Sequence, residues 1–266
     1  MTDLYRVENL HLSLPDMTQK PPFGAAPRLE ILKGLTFAIP KGEILGLVGG
    51  SGSGKSTLGR AMIRLLEPST GQILFDGQDI THLPESALRG FRARVQMIFQ
   101  DPMSSLNPRH RVGRIIAAPL TLQNHPAPRA AALEALDHVG LPQSFAARYP
   151  HELSGGQRQR VGIARAIAQK PEFILADEIA SGLDVSSQAQ ILGLLEGLVD
   201  RLGLTLAFIS HDLSVIRRLC TRVMVMNRGE IVENAPTAEV FAAPKAAYTS
   251  TLLKAIALPD PAQPWD

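Results

Sequence analysis

Two rhythms of apolar and polar positions alternate along this chain. Short, nearly unbroken apolar runs occur at EILGLVG (43–49), EFILAD (172–177) and TLAFIS (205–210). Runs of that length predict buried strands. Between them the apolar spacing becomes helical. KSTLGRAMIRLL (55–66) follows the first run, and GQRQRVGIARAIAQK (156–170) precedes the second. SSQAQILGLLEGLVDRLG (186–203) carries Ile191, Leu194, Leu195, Leu198 and Leu202 as one stripe. VENLHLSL (7–14) and LTFAIP (35–40) predict two more short strands. Between these, the proline-rich, polar segment 15–27 predicts an exposed loop. The spacing is helical from Val112 to Ala147, whereas proline and asparagine break up FQDPMSSLNPRHRV (99–112), which predicts a loop. Buried strands alternating with amphipathic helices predict an α/β fold with a mainly parallel sheet covered on both faces. The helical stretch over about 101–160 interrupts that alternation and predicts an inserted lobe.

Composition narrows the class. The 266 residues are 45% hydrophobic and 20% charged, ample for a packed core. A net charge of +2 gives no electrostatic case for nucleic-acid binding. Cys220 is the single cysteine, so no internal disulfide framework exists; a reducing compartment and a packing role are expected. The first residues lack the basic-then-apolar form of a secretion signal. No apolar run approaches the roughly 20 residues that cross a bilayer, so any membrane role is expected to run through a partner. His11, His82, His110, His125, His138, His151 and His211 show no metal-ligand spacing.

Chemistry enters at GGSGSGKST, which contains G-x-x-x-x-G-K-S as Gly49, Gly54, Lys55 and Ser56. Such a loop turns on its glycines so that backbone N–H groups face phosphate oxygens. Here it comprises Gly49, Gly50, Ser51, Gly52, Ser53, Gly54, Lys55, Ser56 and Thr57. Lys55 reaches the β and γ phosphates, and the Ser56 hydroxyl ligates Mg²⁺. The helix that starts there points its positive end at the anion. The alternative is a glycine-rich turn that binds nothing, but the strand before it and the helix after it favour phosphate. A phosphate loop also explains the paired carboxylates that close FILADE: Asp177 at a strand end suits Mg²⁺, and Glu178 suits a water aimed at the γ-phosphate. The alternative for this pair is capping of a helix N-terminus.

The remaining motifs carry a resemblance. FQDP with Gln100, LSGGQ (153–157), ADE (176–178), SGLD (181–184) and SHD with His211 follow the phosphate loop in an order and spacing that resemble the ATP-binding cassette family. That resemblance covers nearly the whole chain. It implies a RecA-like P-loop NTPase core over 1–100 and 161–246, with an N-terminal antiparallel β subdomain. It also implies an α-helical subdomain over about 101–160 and a C-terminal tail at 247–266. It implies that Gln100 senses Mg²⁺ and γ-phosphate beside a membrane subunit. Ser154, Gly155, Gly156 and Gln157 would contact the γ-phosphate held by a second cassette, with Asp184 at the seam of a head-to-tail dimer. His211 would hold the attacking water with Glu178; taken alone, His211 also reads as a strand-end residue capping a helix.

FQDPMSSLNPR, YPHELSGGQRQRVGIARAIA, SQAQILGLL and AYTSTLLKAIALPDP are similar to the branch that imports oligopeptides, dipeptides and nickel or other metal chelates. The branch implies a second cassette (a paralogue or an identical copy), two permeases, an extracytoplasmic binding protein, and a place on the cytoplasmic face of the plasma membrane. Three positions depart from the pattern. Leu14 stands about where an aromatic stacks on adenine, which predicts weaker binding or poorer base selectivity unless Tyr5 or Phe23 substitutes. Ile179 replaces the usual proline after the glutamate, and KAAYT (245–249) replaces a histidine-proline before the tyrosine. A soluble, non-transport cassette is the competing function; a GTPase or kinase would leave LSGGQ unexplained, and no N-K-x-D motif is present.

Overall fold

The computed structural model describes residues 2–21, 24–99, 105–179 and 182–255. Contacts divide the chain into two compact units, residues 1–83 with 208–266, and residues 84–207. In the first, β1 (Asp3–Pro15) and β2 (Arg28–Pro40) pair antiparallel, with Tyr5 opposite Ile39 and Leu14 opposite Leu29. Next come β3 (Ile44–Val48), α1 (Lys55–Met62), β4 (Thr70–Phe75) and the short β5 (Gln78–Asp79). One sheet has the order β2-β1-β4-β5. Along β1 and β2, buried positions alternate with exposed ones, as in an antiparallel sheet with one face covered. All five residues of β3 are buried, which is the pattern of an internal parallel strand.

The second unit holds α2 (Glu85–Arg94), β6 (Val95–Ile98), α3 (Val112–Leu122), α4 (Pro128–His138), α5 (Gly155–Ile167), β7 (Phe173–Asp177) and α6 (Val185–Leu202). Strands β6 and β7 run parallel, from Val95 opposite Phe173 to Ile98 opposite Ala176. The helical spacing of 112–147 resolves into two helices and a 3-10 turn at Gln143–Ala147. Asn124 takes a left-handed φ of 58° after α3. Pro128, which lacks an N–H, opens α4 at a position where that donor has no helical partner.

Strand β8 (Thr205–Ile209) carries the chain back into the first unit, followed by α7 (Leu213–Leu219), β9 (Arg222–Asn227), β10 (Glu230–Pro236), α8 (Thr237–Ala242) and α9 (Ala247–Ala255). There β9 lies parallel to β3 and antiparallel to β10. Arg228 and Gly229 both have positive φ, 49° and 85°, which gives the β9–β10 hairpin a tight turn matched to strand twist. The Arg222 guanidinium bridges Glu43 at 2.6 Å and also donates to the Ala38 carbonyl, fixing the start of β9 beside the entry to β3. Cys220 is buried and lies where a Cβ on Gly46 would meet its sulfur at 3.0 Å, so it packs against β3. Burial pushes its thiol far above the ordinary range.

Candidate nucleotide site

The phosphate loop leaves the end of β3. Gly49 has φ 150°, and a Cβ there would lie 2.2 Å from the Met226 carbonyl of β9, so the neighbouring strand demands glycine. Gly54, at φ 103°, forms the N-cap of α1 without a side-chain cap. The first-turn amides of such a helix have no partner within it, and they suit an anion. The Lys55 side chain is buried to 8% exposure and folds across the loop. Its ammonium donates to the carbonyls of Gly49 and Gly50 at 2.9 and 3.0 Å, and to Ser53 Oγ at 3.4 Å. Ser51 and Gly52 are exposed at the tip, while Ser56 and Thr57 are half-buried in the first helical turn.

Two contacts from the C-terminal part of the chain brace this loop. The Gly229 amide donates to the Ser53 carbonyl at 3.0 Å, and the Gly50 amide donates to Tyr248 Oη at 2.8 Å. Sequence reasoning missed both. Gly229 is a turn-forming residue, whereas Tyr248 stood out only within AYTSTLLKAIALPDP and the departure in KAAYT, with no link to the phosphate loop.

His211 follows β8 and is exposed. The Ser210 amide donates to the Leu47 carbonyl at 3.4 Å, which sets His211 beside the strand that carries the phosphate loop. The cap of α7 is Asp212, whose carboxylate accepts from the Ser214 amide, so capping does not account for His211. Leu14 is half-buried on β1. Tyr5 is ruled out as a base-stacking substitute: it is fully buried, its ring meets Phe75 edge-on at 4.9 Å, and its hydroxyl donates to the Met62 carbonyl. Phe23 and Gln100 lie outside the described residues.

In the second unit, Asp177 ends β7 and is 8% exposed. Glu178 then takes φ 51°, a left-handed conformation that costs a residue with a Cβ about 1–3 kcal/mol. Ile179 is 1% exposed and belongs to the core. Neither carboxylate caps the next helix, since the cap of α6 is Asp184. The Asp184 carboxylate accepts from the Ser187 hydroxyl at 2.6 Å and the Ser187 amide at 2.9 Å, which holds it below the usual carboxylate range. Ser154 caps α5. Its hydroxyl accepts from the Gln157 amide, and the Gln157 side chain accepts from the Ser154 amide at 3.0 Å, a reciprocal capping box. A Cβ on Gly155 or Gly156 would meet nothing closer than 3.6 Å, so the described part of this chain has no steric need for either glycine.

A family model described as ABC transporter matches residues 32–181. A putative peptide import ATP-binding protein of Brucella ovis is 51% identical over 237 residues, covering 88% of this chain and 74% of that protein. The Bacillus subtilis oligopeptide transport ATP-binding protein AppF is 50% identical over 232 residues, covering 86% of this chain and 70% of its own. Among solved structures, the dimeric post-hydrolysis state of the cassette MJ0796, bound to ADP and Pi, aligns with a TM-score of 0.75 at 29% identity. That alignment covers 88% of this chain and 98% of the other. CbiO1 from Clostridium perfringens, part of the ABC transporter complex cbiONQ, aligns with a TM-score of 0.78 at 28% identity, over 91% and 92% of the two chains. With a braced phosphate loop at the end of β3 and these relatives, the chain belongs to the ABC transporter family, as one of its ATP-binding ATPase subunits.

Proposed function

We propose that this ATPase powers the uptake of peptides, acting as one half of a head-to-tail cassette dimer on two permeases served by an extracytoplasmic binding protein. The observation that carries the reading is the phosphate loop, where a buried lysine, a helix start and a glycine demanded by the neighbouring backbone converge. The names of relatives at about half identity support peptides as cargo. A metal chelate, nickel included, is the alternative cargo. Among the described residues no helix is long and apolar enough to cross a membrane. Attachment to the cytoplasmic face through permeases accords with that.

The roles follow from the residues. The amides of residues 49–57 would cradle the phosphates, and Lys55 would move from the loop carbonyls to the γ-phosphate. The Ser56 hydroxyl, Asp177 and Gln100 would be the oxygen donors for Mg²⁺, a hard cation that takes such ligands and would neutralise charge developing on the phosphates. Glu178 would accept a proton from the attacking water, with His211 orienting it. Ser154, Gly155, Gly156, Gln157 and Asp184 would serve the ATP held by the partner cassette. The same reading keeps 1–100 and 161–246 as the RecA-like core, about 101–160 as the helical insert and 247–266 as the tail.

Affinity purification from membranes tests the assembly. Recovery of two multispanning permeases supports it, whereas recovery of a soluble partner alone supports a non-transport cassette. Uptake assays with the recovered complex, using labelled di- and oligopeptides or a nickel chelate, decide the cargo.

A further inference from the structure

We propose that Tyr248 is a positioning residue for the phosphate loop, holding the Gly50 peptide in register and tying nucleotide affinity to the docking of the C-terminal helix α9. The proposal rests on the reading of residues 49–57 as the ATP site.

The Gly50 amide donates to the Tyr248 hydroxyl at 2.8 Å across 198 positions of sequence. On its other side, the Gly50 carbonyl accepts from the Lys55 ammonium at 3.0 Å. Gly50 is therefore gripped on both faces, once by the residue that must reach phosphate and once by α9. The grip is close: a Cβ on Gly50 would lie 3.1 Å from the tyrosine oxygen. The helix that presents Tyr248 is itself anchored. Glu233 on β10, 8% exposed, accepts from the Lys245 amide at 2.9 Å and the Ala246 amide at 3.1 Å, directly before α9 begins. Burial would raise the Glu233 carboxyl, but these donated bonds, with the Thr249 side chain and the Lys245 charge, outweigh it and hold the group below its ordinary value. One continuous path of named bonds thus runs from β10 through Glu233, the start of α9 and Tyr248 to the second residue of the phosphate loop. Tyr248 acts through Gly50, and this is why it counts as positioning the site.

The test is steady-state ATP hydrolysis and MgATP binding by the full-length protein, comparing wild type with Tyr248→Phe, Glu233→Gln and Lys55→Ala. Removal of one hydroxyl bonded to the loop is expected to raise KM and Kd for MgATP about 3- to 10-fold, with kcat at saturating ATP within about twofold of wild type. Glu233→Gln should shift KM in the same direction by less. Gly50→Ala should be more harmful in wild type than in the Tyr248→Phe background, because the crowding oxygen is gone. Unchanged KM and Kd in Tyr248→Phe, with Lys55→Ala still abolishing binding, would overturn the proposal while leaving the ATP site standing. If Lys55→Ala binds MgATP like wild type, the ATP-site reading itself fails. A lower melting temperature with unaltered KM would assign Tyr248 a purely structural role and likewise overturn the proposal. Equal penalties for Gly50→Ala in both backgrounds would do the same.

Discussion

Gly49 and Gly156 are both glycines in short glycine-rich motifs, but their surroundings differ. At Gly49 a methyl group would sit 2.2 Å from the Met226 carbonyl. At Gly156 it would meet only the Ser187 side chain, at an ordinary 3.6 Å. The phosphate loop is finished by its own chain, with Met226, Gly229 and Tyr248 closing around it. The signature segment is not crowded in this way: Ser154 is exposed and, with Gln157, caps its own helix, and a Cβ on Gly155 would only touch the Leu183 side chain, at 4.0 Å. A glycine that the described residues of its own chain do not require suits close approach by something else. This supports the partner cassette as the occupant of that face, and the contrast can be broken at several points.

The largest effect is expected at Lys55. Lys55→Ala should lower ATP turnover by about 10²–10³-fold, the scale for losing a preorganised charge at a reacting phosphate. Phosphate-release kinetics check this. Gly49→Ala comes next. Its Cβ must displace the β9 backbone, at an expected 1–3 kcal/mol or more, visible as a lower unfolding midpoint in denaturant together with lost ATP binding. Gly156→Ala should leave the unfolding midpoint nearly unchanged, so a loss of stability equal to that of Gly49→Ala would erase the contrast. Ser154→Ala removes a cap and should cost about 1 kcal/mol of stability. If Ser154 serves only its own helix, ATP-driven dimerisation will survive that change.

The smallest effects concern the base. Leu14→Tyr should tighten ATP by up to the roughly 1–3 kcal/mol that base stacking supplies. Equal ATP and GTP affinities in both forms would remove Leu14 from the site.

The phosphate loop was legible in the sequence because its chemistry sits in nine consecutive residues after an apolar run. The same holds for the strand that ends at Asp177 and for the helix stripe of 186–203. What braces the loop was not legible. Tyr248 and Gly229 meet it across 198 and 176 positions, and only the folded sheet brings such positions together. Tyr5 shows the converse failure. An aromatic residue near a strand start looked available for a base, but Phe75 and Met62, both distant in sequence, enclose it. Where the helical spacing of 112–147 divides was visible in principle, since Asn124 and Pro128 are helix-ending and helix-starting residues. Continuous apolar spacing across the junction concealed it.

The central claim is that one chain supplies the phosphate loop and Glu178, while a second supplies Ser154 through Gln157. The most direct measurement is the solution mass of Glu178→Gln with and without MgATP, alongside its turnover. Loss of the general base should lower hydrolysis by about 10²–10⁴-fold. A stable ATP-dependent dimer, with itself or with the paralogous cassette, should then form, and adding Ser154→Ala with Gly156→Trp should dissolve it. Wild-type turnover in Glu178→Gln, or a mass that stays monomeric with ATP and both candidate partners present, would contradict the account.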